Sequence, residues 1–332
     1  KEVDKVIGNT EKRDMASHLL RNNNNLVSDI MTNKDPLNSL KAGYKNKTRA
    51  FVEIQNGCNH RCTFCVIPYG RGNLRSKSKE QIIIEINELI KKGHKEIILT
   101  GVDIASWNME NQKANNLGVL VEYILNKLPN LKRLRLSSMD VIGFDEKLIE
   151  LIANNKRILP HIHLSLQSGD NLILKRMKRR HLREDAIDLC SKLKQIRPEI
   201  SFGADLIVGF PTETEEMFQN TLNIVEECQL DWIHAFPFSP RPGTPAAKMP
   251  QNDTKTIKQR SKILREVAMK RKRRHLDNLV GKNVEVFVEK DNKGYSNQFA
   301  PIKLIEKDIA SGQTITALIK SSDENFAHGV VI

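Results

Sequence analysis

The chain has 332 residues, 39% of them hydrophobic and 28% charged, with 53 Lys and Arg against 40 Asp and Glu for a formal charge of +13. That length can bury a substantial core and points to two domains rather than one, while five cysteines, an odd number with three of them clustered, exclude a disulfide framework and fit a reducing compartment. No apolar run approaches the roughly 20 residues that cross a bilayer and the first 25 residues are charged and Asn-rich, so a cytoplasmic protein without membrane contact is expected.

Residues 34–48 are polar and rich in Lys and Asn, with Pro and Gly interspersed; they read as a linker after an N-terminal segment, 1–33, and ordered structure is expected from about residue 49. The first strand, 51–56, runs into Cys58-x3-Cys62-x2-Cys65. Three thiolates on one tight loop can hold three irons of a 4Fe-4S cluster and leave the fourth iron open to a small molecule. A zinc site would need a fourth ligand such as His60, and zinc motifs usually pair two short Cys/His clusters. Cys190 and Cys228 stand alone at helical spacing among apolar residues, and both read as buried hydrophobes.

Beyond the cysteines, strand-like runs at 96–100, 133–138, 161–167, 202–209 and 232–236 alternate with periodic helical stretches at 79–91, 117–127, 145–154, 183–196 and 214–228. Six β-α units in a row predict an α/β fold, a parallel sheet rolled into a partial (βα)6 barrel over 49–250 and open where two units would be missing. In a barrel the chemistry sits at the carboxyl ends of the strands, which is where the cysteine loop falls. The second strand ends at Thr100-Gly-Val-Asp103, where Gly101 permits close backbone approach and Asp103 can accept from an ammonium group. Strict alternation in the fourth strand places His161, His163, Ser165 and Gln167 on one face, a polar face suited to a ribose or purine. The fifth strand runs from Asp205 to Gly209-Phe-Pro, a turn that lets a cofactor lie against the backbone. Tyr69, Trp107, Phe210 and Trp232 could stack a base near the strand ends, although aromatics at strand edges are more often packing.

From Lys255 to Lys282 eleven basic residues face two acidic ones, and Lys270, Arg271, Lys272, Arg273 and Arg274 are consecutive. Such a run either solvates a helix face or binds phosphate, and five adjacent cations favour phosphate. The segment 251–279 therefore reads as a basic helical connector, followed over 280–332 by short β-rich runs at 284–288, 302–305, 315–319 and 328–332 that suggest a small β-barrel.

The stretch from Gln55 through the three cysteines to Gly72 resembles the methylthiotransferases of the radical S-adenosylmethionine (SAM) superfamily. So do Leu136-Ser-Ser-Met-Asp140, Leu164-Ser-Leu-Gln-Ser-Gly169, Met177-Lys-Arg-Arg-His181 and Phe238-Ser-Pro-Arg-Pro-Gly-Thr-Pro-Ala246. The resemblance implies that Cys58, Cys62 and Cys65 hold a 4Fe-4S cluster whose open iron chelates SAM. It also implies that Thr100, Gly101, Asp103, Ser165, Gln167, Asp205 and Gly209 lie where such enzymes bind that cofactor. By the same resemblance 280–332 is similar to an RNA-binding TRAM domain, an OB-like barrel. The resemblance further implies that the partner is the anticodon stem-loop of tRNA, that a reductant such as flavodoxin or ferredoxin serves the reaction, and that the chain acts as a monomer. The wording at Thr100 to Ile104 and Met177 to His181 is nearest to the branch that methylthiolates C2 of N6-threonylcarbamoyladenosine at position 37 of tRNA. Sister branches act on isopentenyladenosine in tRNA or on an aspartate of a ribosomal protein, and a non-catalytic tRNA-binding remnant is the other alternative. Intact members carry an N-terminal domain with three further cysteines for an auxiliary cluster, the site of sulfur delivery. No cysteine precedes Cys58, so 1–33 is expected to be a remnant of that domain, and the chain to cleave SAM without delivering sulfur.

Overall fold

The computed structural model describes residues 3–19, 25–33, 37, 47–109, 117–305 and 308–332, so the expected linker at 34–48 lies outside the described residues apart from 37, 47 and 48. Strands β1 (Arg49–Asn56), β2 (Glu96–Gly101) and β3 (Arg133–Leu136) pair in parallel, as do β4 (His161–Gln167), β5 (Ser201–Val208) and β6 (Leu230–Pro237). The two sets are stitched together just past β3, where Met139 N donates to His163 O at 2.9 Å and Ser165 N donates to Met139 O at 2.8 Å. The result is the half-open parallel barrel expected from the alternation, with β1 and β6 as its edges. The two-residue strand Arg75–Ser76 pairs antiparallel with the end of β1.

Helices α1 (Lys79–Lys91), α2 (Leu117–Lys127), α3 (Glu146–Asn154), α4 (Asn171–Met177), α5 (Arg183–Ile196) and α6 (Glu215–Glu227) accompany the strands. Local chemistry sets their ends. Helix α1 starts on a capping box, Ser78 Oγ accepting from Gln81 N and Gln81 Oε1 from Ser78 N, and buries Ile82, Ile86 and Leu89 at helical spacing. Each such side chain removed from water contributes about 1.5–3 kcal/mol, and Ile97 and Leu99 in β2 are wholly buried beneath this layer. Cys190 and Cys228 lie in the same core, as their surroundings in sequence suggested. Among the described residues no helix is long and apolar enough to cross a membrane.

One continuous helix, α7 (Thr254–Asp277), leads to β7 (Asn283–Lys290), β8 (Lys293–Ser296), β9 (Pro301–Leu304), β10 (Thr314–Ser322) and β11 (Ala327–Val331). These close into a small barrel in the order β7-β8-β9-β11-β10. It sits against the amino ends of the core strands, opposite the cysteine loop, through charged groups that satisfy one another. Glu96 accepts from Arg133 Nε and Arg135 Nε, both at 2.9 Å. Arg133 reaches on to Glu285 at 3.0 Å, Arg135 donates to Ser296 O and Asn297 O at 3.0 Å, and Arg49 pairs with Glu289 at 2.6 Å. Burial brings the Arg135 guanidinium down to about 10, and the partnership with Glu96 keeps it charged at neutral pH.

Candidate active site

The cysteine loop leaves β1 through Gly57, whose φ of +72° an L side chain rarely adopts and whose Cβ would stand 1.9 Å from Asn73 O. Only glycine fits there. From that turn the loop is tied on both sides. Cys58 N donates to Gly72 O at 3.1 Å, Leu74 N donates to Asn59 Oδ1 at 2.9 Å, and Arg61 donates to Cys58 O at 2.7 Å and to Asn73 Oδ1 at 3.0 Å. On the other side Thr63 N donates to Met177 O at 3.1 Å, Thr63 Oγ1 donates to Arg176 O at 2.7 Å, and Thr63 O accepts from Ala246 N at 2.9 Å. Phe64 meets Phe210 edge to face at 6.4 Å, and Phe210 meets Phe238 at 5.3 Å, so Phe210 is buried packing rather than a base platform. Trp107 is likewise buried, its Nε1 donating to Lys77 O at 2.9 Å.

Cys58, Cys62 and Cys65 open onto a cavity of about 180 Å³ that Asp103, Ser165, Gln167, Asp140, Arg179 and Arg180 also line. All three thiols are free and partly buried. Burial pushes the Cys58 thiol up to about 11 and raises Cys65 as well, so a positively charged group is needed to hold them as thiolates together. A single zinc ion with bonds of about 2.3 Å needs sulfurs within about 4 Å of one another. Among the described residues the one group of three or more His, Cys, Asp or Glu whose ligand atoms all lie within 4.8 Å of one another is His163, Asp205 and His234. The three sulfurs do not form such a group; they stand on one clamped loop with Arg179 Nη1 3.8 Å from Cys62 Sγ, an arrangement that fits a multi-iron cluster.

Opposite the thiols lies a charge network for which the sequence reading named no role. Helix α4 ends at Lys178, whose left-handed backbone (φ +61°) turns Arg179 and Arg180 back toward the cavity. Arg179 and Arg180 meet Asp140 Oδ2 at 3.0 and 3.1 Å, and His181 Nδ1 stands 3.2 Å from Asp140 Oδ1. Burial alone would raise the Asp140 carboxyl, but the His181 hydrogen bond and the two guanidinium charges hold it well below the usual carboxylate range. Asp103 behaves alike: burial is outweighed by His60 Nε2 at 3.0 Å, Ser106 Oγ at 2.6 Å and Arg180 at 3.5 Å, and its carboxyl is lowered. Ser138 Oγ and Ser165 Oγ share a hydrogen bond of 2.6 Å at the cavity wall.

Of the seven residues expected near SAM, Asp103, Ser165 and Gln167 line this cavity. Thr100 and Gly101 close the end of β2, where the room Gly101 leaves is taken up by Gln55, whose backbone and side-chain oxygens lie 2.6 and 2.9 Å from a Cβ built there. Asp205 lies deeper in the barrel between His163 and His234, and Gly209 packs against Ile257, 2.6 Å from a Cβ built on it. The five consecutive cations divide in the same way. Arg271 is buried, donating to Leu230 O at 2.7 Å and pairing with Glu226 at 2.8 Å, which removes it from the expected phosphate-binding set, because its donors are spent inside the protein. Arg273 pairs with Asp277 at 2.9 Å on an exposed face, and Arg274 approaches Glu226 at 3.9 Å. Lys270 and Lys272 have no ion-pair partner among the described residues.

Residues 52–225 match the family model of the radical SAM superfamily. The threonylcarbamoyladenosine tRNA methylthiotransferase of Rickettsia prowazekii is 44% identical over 331 residues, covering 100% of this chain and 78% of that protein. The enzyme of the same name from Aquifex aeolicus is 37% identical, covering 91% of this chain and 75% of its own length. A tRNA-2-methylthio-N6-dimethylallyladenosine synthase from Shouchella clausii is also 37% identical, covering 88% of this chain and 56% of its own. Among solved structures the radical SAM methyltransferase TsrM from Kitasatospora setae superposes with a TM-score of 0.50 at 19% identity, over 59% of this chain and 38% of that one, a likeness of fold.

Proposed function

The chain belongs to the radical SAM superfamily and within it to the tRNA methylthiotransferases, and from that premise we propose that its substrate is N6-threonylcarbamoyladenosine at position 37 of tRNA, methylthiolated at C2. The observation that carries this choice of branch is the 44% identity spanning the whole chain to a threonylcarbamoyladenosine enzyme, against 37% over 88% of it for a dimethylallyladenosine synthase. A structural feature supports the same choice. Arg265 and Lys272, without ion-pair partners among the described residues, line a chamber of about 680 Å³ between the core barrel, α7 and the small barrel. The threonyl group carries a carboxylate that free cations favour, and a dimethylallyl group carries none.

Cys58, Cys62 and Cys65 hold the 4Fe-4S cluster, which when bound supplies the one-electron chemistry that splits SAM. In our reading Asp103 accepts from the SAM ammonium group, already desolvated and kept ionised by His60 and Arg180. Ser165 and Gln167, aimed into the same cavity from β4, hydrogen-bond the ribose or purine, while Thr100 and Gly101 fix the end of β2 beside them. Arg179 and Arg180, oriented by Asp140, place positive charge beside the thiolates and a carboxylate-bearing cofactor. Lys270, Arg273 and Arg274 offer the phosphate-binding edge of α7, with Lys272 turned into the chamber, and the closed barrel of 280–332 serves as the RNA-binding TRAM domain.

The test is anaerobic turnover of the reconstituted chain with RNA hairpins that carry either threonylcarbamoyladenosine or dimethylallyladenosine. Stimulated 5′-deoxyadenosine formation with the first and not the second is expected. Equal or greater stimulation by the dimethylallyl hairpin would reassign the branch.

A further inference from the structure

We propose that His163, Asp205 and His234 form a second metal site, for one divalent transition ion, in the wall of the barrel lumen below the cysteine cavity. The three residues stand on adjacent parallel strands, with Asp205 directly across from His234 and His163 across from Gly203, two residues before Asp205. Register puts Asp205 and His234 side by side, and His163, level with Gly203, reaches Asp205 diagonally along the sheet, so that two imidazoles and one carboxylate meet on one face. His163 Nε2 lies 3.0 Å and His234 Nδ1 lies 2.9 Å from the same oxygen, Asp205 Oδ1. In an octahedral or tetragonal ion site with bonds of about 2.1 Å, neighbouring ligand atoms stand about 3 Å apart, which is the spacing found for both imidazole–carboxylate pairs. All three ligand atoms fall within 4.8 Å of one another, so an ion can be seated without moving a strand.

Three more observations favour an ion over a plain hydrogen-bond clamp. The donor set, two histidines and one carboxylate on a single face, is the one that leaves open positions for exogenous ligands on divalent iron and its neighbours. Gly203 makes room for it: a Cβ there would lie 2.4 Å from His163 Nδ1. And the site is accessible. His163 and His234 both line the 680 Å³ chamber, and the His234 side chain is 62% exposed. Because Arg265 and Lys272 line the same chamber, the open positions would take an anionic oxygen, such as a carboxylate. His163 is also on the face that carries Ser165 and Gln167, so the ion would sit about 13 Å along β4 from Gln167.

The experiment reads metal alone and does not depend on which nucleoside is modified. Mn(II) is the probe, a hard ion that thiolates bind poorly, titrated into the full chain after anaerobic cluster reconstitution with the cluster in its oxidised, diamagnetic state. Loss of the free Mn(II) electron paramagnetic resonance signal counts bound ion. One ion per chain is expected, with affinity at least about tenfold weaker in Asp205→Asn and in His234→Ala, and unchanged in Glu199→Gln on the exposed surface. His234 is largely exposed, so its truncation leaves the fold intact even if Asp205→Asn does not. No stoichiometric binding by the unaltered chain, or equal binding by His234→Ala, would overturn the site and leave Asp205 as a hydrogen-bond clamp.

Discussion

Replacing Gly57 with alanine tests how the cysteine loop is held. The backbone there has φ +72°, which costs an L residue about 1 kcal/mol, and the new Cβ would meet Asn73 O at 1.9 Å, more than an ångström too close. The Asn73 carbonyl cannot retreat alone. Its neighbours accept from Cys58 N at 3.1 Å and donate to Asn59 at 2.9 Å, and its own side chain accepts from Arg61 at 3.0 Å. Losing these three bonds at about 1 kcal/mol each brings the total to about 4 kcal/mol, concentrated on the segment that aims Cys58. Gly70 provides the control, because it lies in the short helix Ile67–Arg71 with no atom within 4 Å of a built Cβ, and alanine there is neutral or stabilising by up to about 1 kcal/mol. The assay is iron and sulfide per chain after reconstitution, followed by 5′-deoxyadenosine formed from SAM under reducing conditions. Gly57→Ala should load poorly and cleave SAM at least about tenfold more slowly, while Gly70→Ala should match the unaltered protein. Full loading and undiminished cleavage in Gly57→Ala would refute the claim that this turn sets the ligand geometry.

Asp140→Asn removes the anion shared by Arg179, Arg180 and His181; discounted for the partial exposure of Arg180, the loss is about 3 kcal/mol, visible in calorimetry as a lowered Tm together with slower SAM cleavage. Arg260→Met strips the wholly buried Glu213 of its 2.8 Å partner. Burial already raises the Glu213 carboxyl, so the folded state binds its proton more tightly than the unfolded state does, and stability is lost as pH rises through the raised value. The Arg260→Met deficit should therefore shrink on acidification from pH 8 toward pH 5, as urea unfolding will show, and a deficit independent of pH would contradict the assignment. Charge reversal at Lys270, Arg273 and Arg274 should weaken tRNA binding and flatten its salt dependence by about 0.9 per lost phosphate contact, whereas Arg271→Ala should lower Tm and leave that slope unchanged.

The legibility of this chain follows how local each cause is. Alternation and helical period decide burial residue by residue, which is why β4 and α5 fall where His161 to Gln167 and Arg183 to Ile196 predicted them, and why Cys190 and Cys228 read correctly as core. Elements whose cause is not periodic escaped. Strand β8 (Lys293–Ser296) contains Gly294, a weak strand former, kept there because a Cβ would meet Phe287 O at 2.1 Å across the hairpin. Helix α4 has only seven residues and rests on its ends, Asp170 capping the first turn and Lys178 reversing the chain. The candidate site divides along the same line. Three cysteines at fixed spacing suggest a cluster from sequence alone, whereas Arg179 and Arg180 become candidates only when the turn at Lys178 brings them to Asp140, 39 and 40 residues earlier in the chain. Asp205 and His234 are likewise separated by 29 residues in sequence and joined by the pairing of β5 with β6. Charge runs mislead for a related reason. Five consecutive cations on a helix point around its whole circumference, so at least one must face the core, and Arg271 is that one, satisfied by Glu226 and Leu230 instead of phosphate.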